Sequence, residues 1–330
     1  MKILMYSVRP DEQAAIHDWA DRHQVQVDTN DLEFHPDTAH LVQGYDGLII
    51  QQRSAIGDDP SVYQQLADWG LQQLTSRTAG VDTIDVAAAK AAGLTVTNVP
   101  AYSPNSVAEM AVAQTMRLIR NLELFDRRIG QQNFQWAGLQ AREIRSLTVG
   151  IIGAGRIGGV AARLFHGLGA KVIAFDPVHH TELTDVLTYV DTKEDLLRQA
   201  DVVDLHVDLN PTSQGLLDAA AFKQMKNDAF VVNASRGPVI VTADLVAALK
   251  AGELAGAALD TVEGEAALFN QDHSDDILQD PLIAQLMQMP NVMITPHVGF
   301  YTNLAVKNMV DISLDDVLTI VQGGTSDHTI

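Results

Sequence analysis

Between Val149 and Asp176 the chain runs in an order that few folds accept: an apolar run, a glycine-rich turn, an amphipathic stretch, a second apolar run and an acid. The turn reads Gly153-Ala154-Gly155-Arg156-Ile157-Gly158. A GxGxxG pattern alone is weak, because glycine is common in loops, so its meaning comes from its flanks. Residues 148–152 are short and apolar, as a buried parallel strand should be. Ile157, Val160, Ala161, Leu164, Phe165 and Leu168 then recur at helical spacing. Residues 171–175 form the second apolar run, and Asp176 ends it eighteen residues past the last glycine.

This spacing has a physical use. Gly153 is expected to make the tight turn, Gly155 to let a pyrophosphate approach the backbone, and Gly158 to let the helix pack close to the strand. The helix that opens at Arg156 and Ile157 offers N–H donors and a positive dipole end to phosphates. Asp176 can accept hydrogen bonds from ribose hydroxyls, whereas a 2′-phosphate would meet its negative charge. The segment is therefore expected to bind a dinucleotide, NAD in preference to NADP.

The 330 residues correspond to one large or two ordinary domains. Lys plus Arg is 22 and Asp plus Glu is 42, a net charge of −20 that repels phosphate backbones and anionic lipid. Nucleic-acid and membrane partners are not expected, and an anionic ligand needs a local cationic site. The chain has no cysteine, which excludes disulfides, thiolate nucleophiles and Cys-ligated metals, and no metal is expected. No segment approaches the roughly 20 apolar residues of a membrane span. The first apolar run meets Arg9 and Asp11 too soon for a signal peptide. A cytoplasmic location is the expectation.

The first hundred residues read as a smaller α/β unit. Candidate strands cover 2–6, 25–27, 47–50, 71–75 and 94–97, with helical stretches such as 14–23 and 61–70 between them. Alternating elements of this kind imply a mostly parallel, doubly wound sheet. Ser103-Pro104 reads as a helix start. The helix beyond it carries Val107, Met110, Ala111, Gln114, Thr115, Leu118, Ile119 and Leu122 on one side. It either crosses between domains, forms a subunit interface or is an ordinary buried helix. After the fingerprint, runs at 202–207, 230–233, 256–259 and 292–294 bring the strand count of the second sheet to six. Residues 262–279 read as an acidic surface loop, and the tail from Tyr301 as a helix.

Ligands of doubly wound sheets bind outside the carboxyl ends of the strands. Arg236 follows the run at 230–233, Glu265 the run at 256–259, and His297 the run at 292–294. Reduction of a 2-keto acid places negative charge on the carbonyl oxygen, which must gain a proton. A histidine can donate it, a carboxylate can hold the ring, and an arginine can fork onto the substrate carboxylate.

With these residues in place, the chain resembles the D-isomer-specific 2-hydroxyacid dehydrogenase family, in its D-lactate and D-2-hydroxyisocaproate dehydrogenase branch. The resemblance runs over essentially the whole length. Its carriers include Gly80-Val81-Asp82-Thr83-Ile84-Asp85, Asn98-Val99-Pro100-Ala101-Tyr102-Ser103-Pro104, the fingerprint, Asp204-Leu205-His206-Val207, Asn233-Ala234-Ser235-Arg236-Gly237-Pro238, Leu259-Asp260-Thr261, Glu263-Gly264-Glu265 and Thr295-Pro296-His297. The resemblance implies an α/β fold of two doubly wound parallel-sheet domains. A Rossmann cofactor domain over 101–299 would be inserted in a flavodoxin-like substrate domain of 1–100 and 300–330, with a cleft that closes on substrate. It implies a homodimer through the cofactor domain and a small 2-keto or 2-hydroxy acid as substrate. His297 matches the acid/base, Glu265 its carboxylate partner and Arg236 the substrate anchor. Ala79, Gly80, Tyr102, Gln51 and Phe300 fall at substrate contacts. Gly153, Gly155, Arg156, Ile157, Gly158, Asp176, Val207, Ala234 and Asp260 fall at cofactor contacts.

Departures from the pattern also carry information. Gln51 stands where D-lactate enzymes of the branch have a tyrosine, and Asp260-Thr261-Val262 replaces an Asp-x-Tyr. Asp208 stands where the family usually has proline. Lost bulk leaves a larger pocket, so 2-ketoisocaproate and phenylpyruvate are expected to serve at least as well as pyruvate. The alternatives are a D-lactate dehydrogenase proper, another dehydrogenase on the same scaffold, and a non-catalytic NAD-sensing protein.

Overall fold

Twelve strands, each parallel to its neighbours, form two sheets among the described residues. The structure is a computed structural model that describes residues 1–52, 54–57, 59–276 and 278–330. The chain divides into two compact units, Met1–Ser103 with Tyr301–Ile330, and Pro104–Phe300.

The first unit holds β1 (Lys2–Met5), β2 (Gln26–Thr29), β3 (Gly47–Ile50), β4 (Gln73–Ser76) and β5 (Thr95–Thr97), in the spatial order β2-β1-β3-β4-β5. This is the flavodoxin-like order. Leu48, Ile49 and Ile50 are fully buried, as a central parallel strand with helices on both faces requires. The tail from Tyr301 belongs to this unit. Its helix, Asn303–Val321, sets Val310, Leu314 and Val317 against Ile3, Met5, Ile49 and the Trp19 ring, and the Trp19 indole donates to Asp315 Oδ1 at 2.8 Å. Past the carboxyl ends of the central strands, Arg77 and Glu12 are both fully buried. The Arg77 guanidinium meets Glu12 at 2.9 and 3.2 Å. Burial pushes the guanidinium below its ordinary range, and the Glu12 charge opposes that shift.

The second unit holds β6 (Thr148–Ile152), β7 (Lys171–Phe175), β8 (Thr188–Tyr189), β9 (Val202–Leu205), β10 (Phe230–Asn233), β11 (Gly256–Leu259) and β12 (Val292–Ile294), in the order β12-β11-β10-β9-β6-β7-β8. The order reverses between β6 and β9, which fixes where a ligand crevice opens. The sheet has seven strands rather than the six expected. The addition, β8, is a two-residue edge strand of partly exposed side chains, too short to show a pattern in sequence. β9 stops at Leu205, which leaves His206 and Val207 in the loop beyond it.

The long helix after Ser103 spans Pro104–Ile119 and packs within this unit, on helix Arg156–Gly167 and on β10 and β11. It excludes Leu122, because Asn121 adopts a left-handed conformation (φ 56°) and a new helix, Leu122–Gly130, starts there. Among its described residues the acidic stretch after Val262 carries one short 3-10 turn, Glu265–Ala267.

Candidate active site

The glycine turn leaves β6 and is tied to β7 by the Gly153 N–H, which donates to Phe175 O at 3.0 Å. Helix Arg156–Gly167 begins at once, and no side chain caps it. Its first N–H groups are therefore available to a ligand. A Cβ at Gly158 would stand 1.9 Å from Gly153 O, so only glycine lets the helix enter this close to the turn. A Cβ at Gly155 would meet nothing within 4 Å, so the outer side of the loop is open. Asp176, at the end of β7, is held by two backbone donors: Ala154 N to Oδ2 and Val178 N to Oδ1, each at 2.7 Å. Each oxygen keeps a lone pair for a further donor. Val207, past β9, lies against Gly153. An open loop, an uncapped helix start and a fixed carboxylate suit a diphosphate and a ribose diol.

On the other side of the switch point the loops after β10, β11 and β12 carry the reactive candidates. Asn233 ends β10 fully buried and folds the next three residues back on itself. Its Oδ1 accepts from Ser235 N (3.0 Å) and Ser235 Oγ (2.7 Å), and its Nδ2 donates to Arg236 O (3.0 Å). This side-chain turn places Arg236, whose Nη1 donates to Ser235 O at 2.8 Å. A Cβ at Gly237 would lie 2.2 Å from the Val262 carbonyl carbon, so this glycine lets the Arg236 loop press against the loop that leads to Glu265.

Glu265 Oε2 accepts from Val262 N at 2.7 Å, and Oε1 lies 2.6 Å from His297 Nδ1. The carboxylate can only accept, so Nδ1 carries the proton and Nε2 is the nitrogen left for chemistry. The His297 side chain is 40% exposed and Glu265 22%, so the pair is accessible but partly screened from water. His297 itself sits at φ 55°, in the left-handed region. Its N–H donates to Asp260 O at 2.8 Å.

Arg236, Glu265, His297, Ala234 and Asp260 thus all lie at the carboxyl ends of β10, β11 and β12. Asp260 has more protein partners than a plain cofactor contact needs. It is 1% exposed and accepts from Thr295 Oγ1 (2.5 Å), Val298 N (3.0 Å) and Gly299 N (2.8 Å). Asn233 and Thr295 were not among the sequence candidates. The strand-end Asn-x-Ser pattern was a readable sign of the first, whereas nothing local marks the second.

Gln51, Ala79, Gly80 and Tyr102 belong to the first unit, past β3, β4 and β5. Gln51 Oε1 accepts from Arg9 Nη1 (2.8 Å) and Arg77 Nη2 (3.0 Å). Ala79 O accepts from Asn98 Nδ2 at 2.6 Å, Gly80 O from Thr78 Oγ1 at 2.7 Å, and Tyr102 O from Asn308 Nδ2 at 2.7 Å. Phe300 is the last residue of the second unit. Among the described residues no helix is long and apolar enough to cross a membrane.

Residues 112–299 match the model of the D-isomer specific 2-hydroxyacid dehydrogenase NAD binding domain. A D-2-hydroxyacid dehydrogenase (NAD(+)) of Clostridioides difficile is 41% identical over 332 residues, covering 100% of both chains. The solved structure of a D-lactate dehydrogenase from Sporolactobacillus sp. is 61% identical with a TM-score of 0.86, covering 100% of this chain and 99% of the other. That of a D-2-hydroxyisocaproate dehydrogenase is 35% identical with a TM-score of 0.90, over 100% and 99%. The fingerprint, the two doubly wound sheets and the full-length matches lead to one assignment: the chain belongs to the D-isomer specific 2-hydroxyacid dehydrogenase family and is an NAD-dependent oxidoreductase.

Proposed function

We propose that the protein interconverts 2-keto acids and D-2-hydroxy acids, and that it takes large apolar side chains at least as well as a methyl group. The observation that carries the reaction is the His297–Glu265 contact of 2.6 Å, on strand ends adjacent to that of Arg236. Arg236 would fork onto the substrate carboxylate with two parallel N–H donors and draw electron density from the neighbouring carbonyl. Bound NADH supplies the hydride that C2 receives. For reduction the His297 ring carries a second proton, on Nε2, which it gives to the carbonyl oxygen as charge develops there; in the oxidation direction the bare Nε2 takes the hydroxyl proton. Glu265, itself held by Val262 N–H, keeps the imidazole turned so that Nε2 faces outward. Gly153, Gly155, Arg156, Ile157, Gly158, Asp176, Val207, Ala234 and Asp260 are the proposed cofactor contacts. On sequence grounds Gln51, Ala79, Gly80, Tyr102 and Phe300 are the proposed substrate contacts.

The side-chain preference rests on lost bulk. Gln51 replaces a ring with a compact amide, and that amide is drawn back onto Arg9 and Arg77. A relative named for isocaproate and a more similar one named for lactate both match over the full length, so D-lactate dehydrogenase proper is the second reading. With NADH, kcat/KM for 2-ketoisocaproate and phenylpyruvate should equal or exceed that for pyruvate. Each accommodated methylene is worth about 1–3 kcal/mol, so the series should be graded. A strong pyruvate preference would make this a D-lactate dehydrogenase proper, and no turnover of any of the three would favour an NAD-sensing protein.

A homodimer through the second unit is proposed on a separate observation. Phe134 and Trp136 are 76% and 79% exposed, and Ile129 lies nearby in sequence at 54%. Large apolar side chains this bare are an interface signal. Light scattering should give twice the 35.7 kDa of one chain. Phe134→Ser with Trp136→Ser should shift the mass toward a single chain, and a wild-type mass of one chain would end this reading.

A further inference from the structure

His297 holds a backbone conformation that L side chains avoid, because its Cβ crowds the carbonyl oxygen. Such a residue persists only where its surroundings over-determine it. Its surroundings form a closed set of hydrogen bonds within the second unit. The N–H groups of His297, Val298 and Gly299 all converge on Asp260, the first on its carbonyl and the other two on its carboxylate. Thr295 Oγ1 lies 2.5 Å from Asp260 Oδ1, and Gln114 Nε2 lies 2.9 Å from Thr295 Oγ1.

The direction of this chain follows from proton counting. A carboxylate only accepts, so the one hydroxyl proton of Thr295 must go to Asp260. Gln114 must then present its NH2 to Thr295 rather than its carbonyl. That choice leaves Gln114 Oε1 buried with no hydrogen-bond partner. A buried amide that forgoes one hydrogen bond to make another is unusual and calls for a reason. Gln114 is 3% exposed and Asp260 1%, so water competes little with any link.

We propose that Gln114, Thr295 and Asp260 form a positioning network that locks the 295–299 turn and aims the His297 imidazole, with Thr295 as its central link. The network runs from the long helix Pro104–Ile119 to the acid/base, and neither Gln114 nor Thr295 is among the groups assigned to the reacting atoms. This rests on the reading of His297 as acid/base.

The test uses the full-length protein with NADH and a keto acid. Thr295→Val keeps the shape and removes the hydroxyl; Thr295→Ser keeps the hydroxyl. Misplacement of a catalytic group by about 1 Å costs on the order of 100-fold, so Thr295→Val should lower kcat by about 10- to 100-fold. The NADH dissociation constant, read by fluorescence titration, should stay within about twofold of wild type. Thr295→Ser should recover most of the rate. Gln114→Met, which loosens the same chain from its far end, should lower kcat by a smaller factor, again without loss of NADH affinity. Unchanged kcat in both Thr295→Val and Gln114→Met overturns the proposal. So does a parallel loss of rate and NADH affinity that serine does not rescue, since that marks general packing. Full turnover in His297→Asn would instead overturn the acid/base reading on which the network depends.

Discussion

Replacing His297 with asparagine should lower keto-acid turnover by about 10²–10⁴-fold, the usual contribution of a positioned general acid. Asparagine is the informative substitution. It tolerates the left-handed conformation required at φ 55° better than most residues, so the turn should survive. It cannot supply a proton near neutral pH. The Gly153–Gly158 loop and Asp176 remain as they are, so NADH should titrate with nearly wild-type affinity. A rate within tenfold of wild type would remove His297 from the proposed role. A loss of NADH affinity matching the loss of rate would show that the substitution had disturbed the whole strand-end region.

The second large effect is expected at Arg236. Hydrogen bonds to charged groups contribute about 1.5–3 kcal/mol each, and a forked guanidinium makes two. Arg236→Gln should therefore reduce kcat/KM for keto acids by about 10²–10⁴-fold. Arg236→Lys keeps the charge but loses the fork, and should recover only part of this. Both variants should bind NADH normally, because Arg236 is not among the proposed cofactor contacts and the Gly153–Gly158 loop and Asp176 lie at other strand ends. Steady-state kinetics over a keto-acid concentration series would show the loss. A kcat/KM for Arg236→Gln within threefold of wild type would mean that the substrate carboxylate is anchored elsewhere.

What could be read from residues alone depended on whether the relevant physics was local. The turn from Gly153 to Gly158 was legible because strand, turn and helix are consecutive, and the 1.9 Å clearance at Gly158 is the steric fact behind the pattern. The placing of Arg236, Glu265 and His297 at neighbouring strand ends was legible because each follows an apolar run that parallel pairing brings into register with its neighbour: Phe230 beside Gly256, and Ala257 beside Val292. β8 escaped because two partly exposed residues form no period. The break at Asn121 escaped because apolar spacing continues across a single left-handed residue. The Gln114–Thr295 link joins positions 181 residues apart and leaves no trace in either neighbourhood. Similarly, the buried pair of Arg77 and Glu12 is assembled by packing, since in sequence both look like ordinary surface charges.

The discontinuity of the first unit bears on how the chain is made. Gly47, in β3, has no side chain, and a Cβ there would lie 2.3 Å from Val317. Helix Asn303–Val321 therefore seals one face of that sheet by direct contact, and it leaves the ribosome only after the whole of Pro104–Phe300. Until then Ile3, Met5 and Ile49 lack the Val310, Leu314 and Val317 cover that completes their cluster. The intervening unit, contiguous from Pro104 to Phe300, has no such wait. During synthesis the inserted unit can close before the unit that surrounds it has all of its own chain.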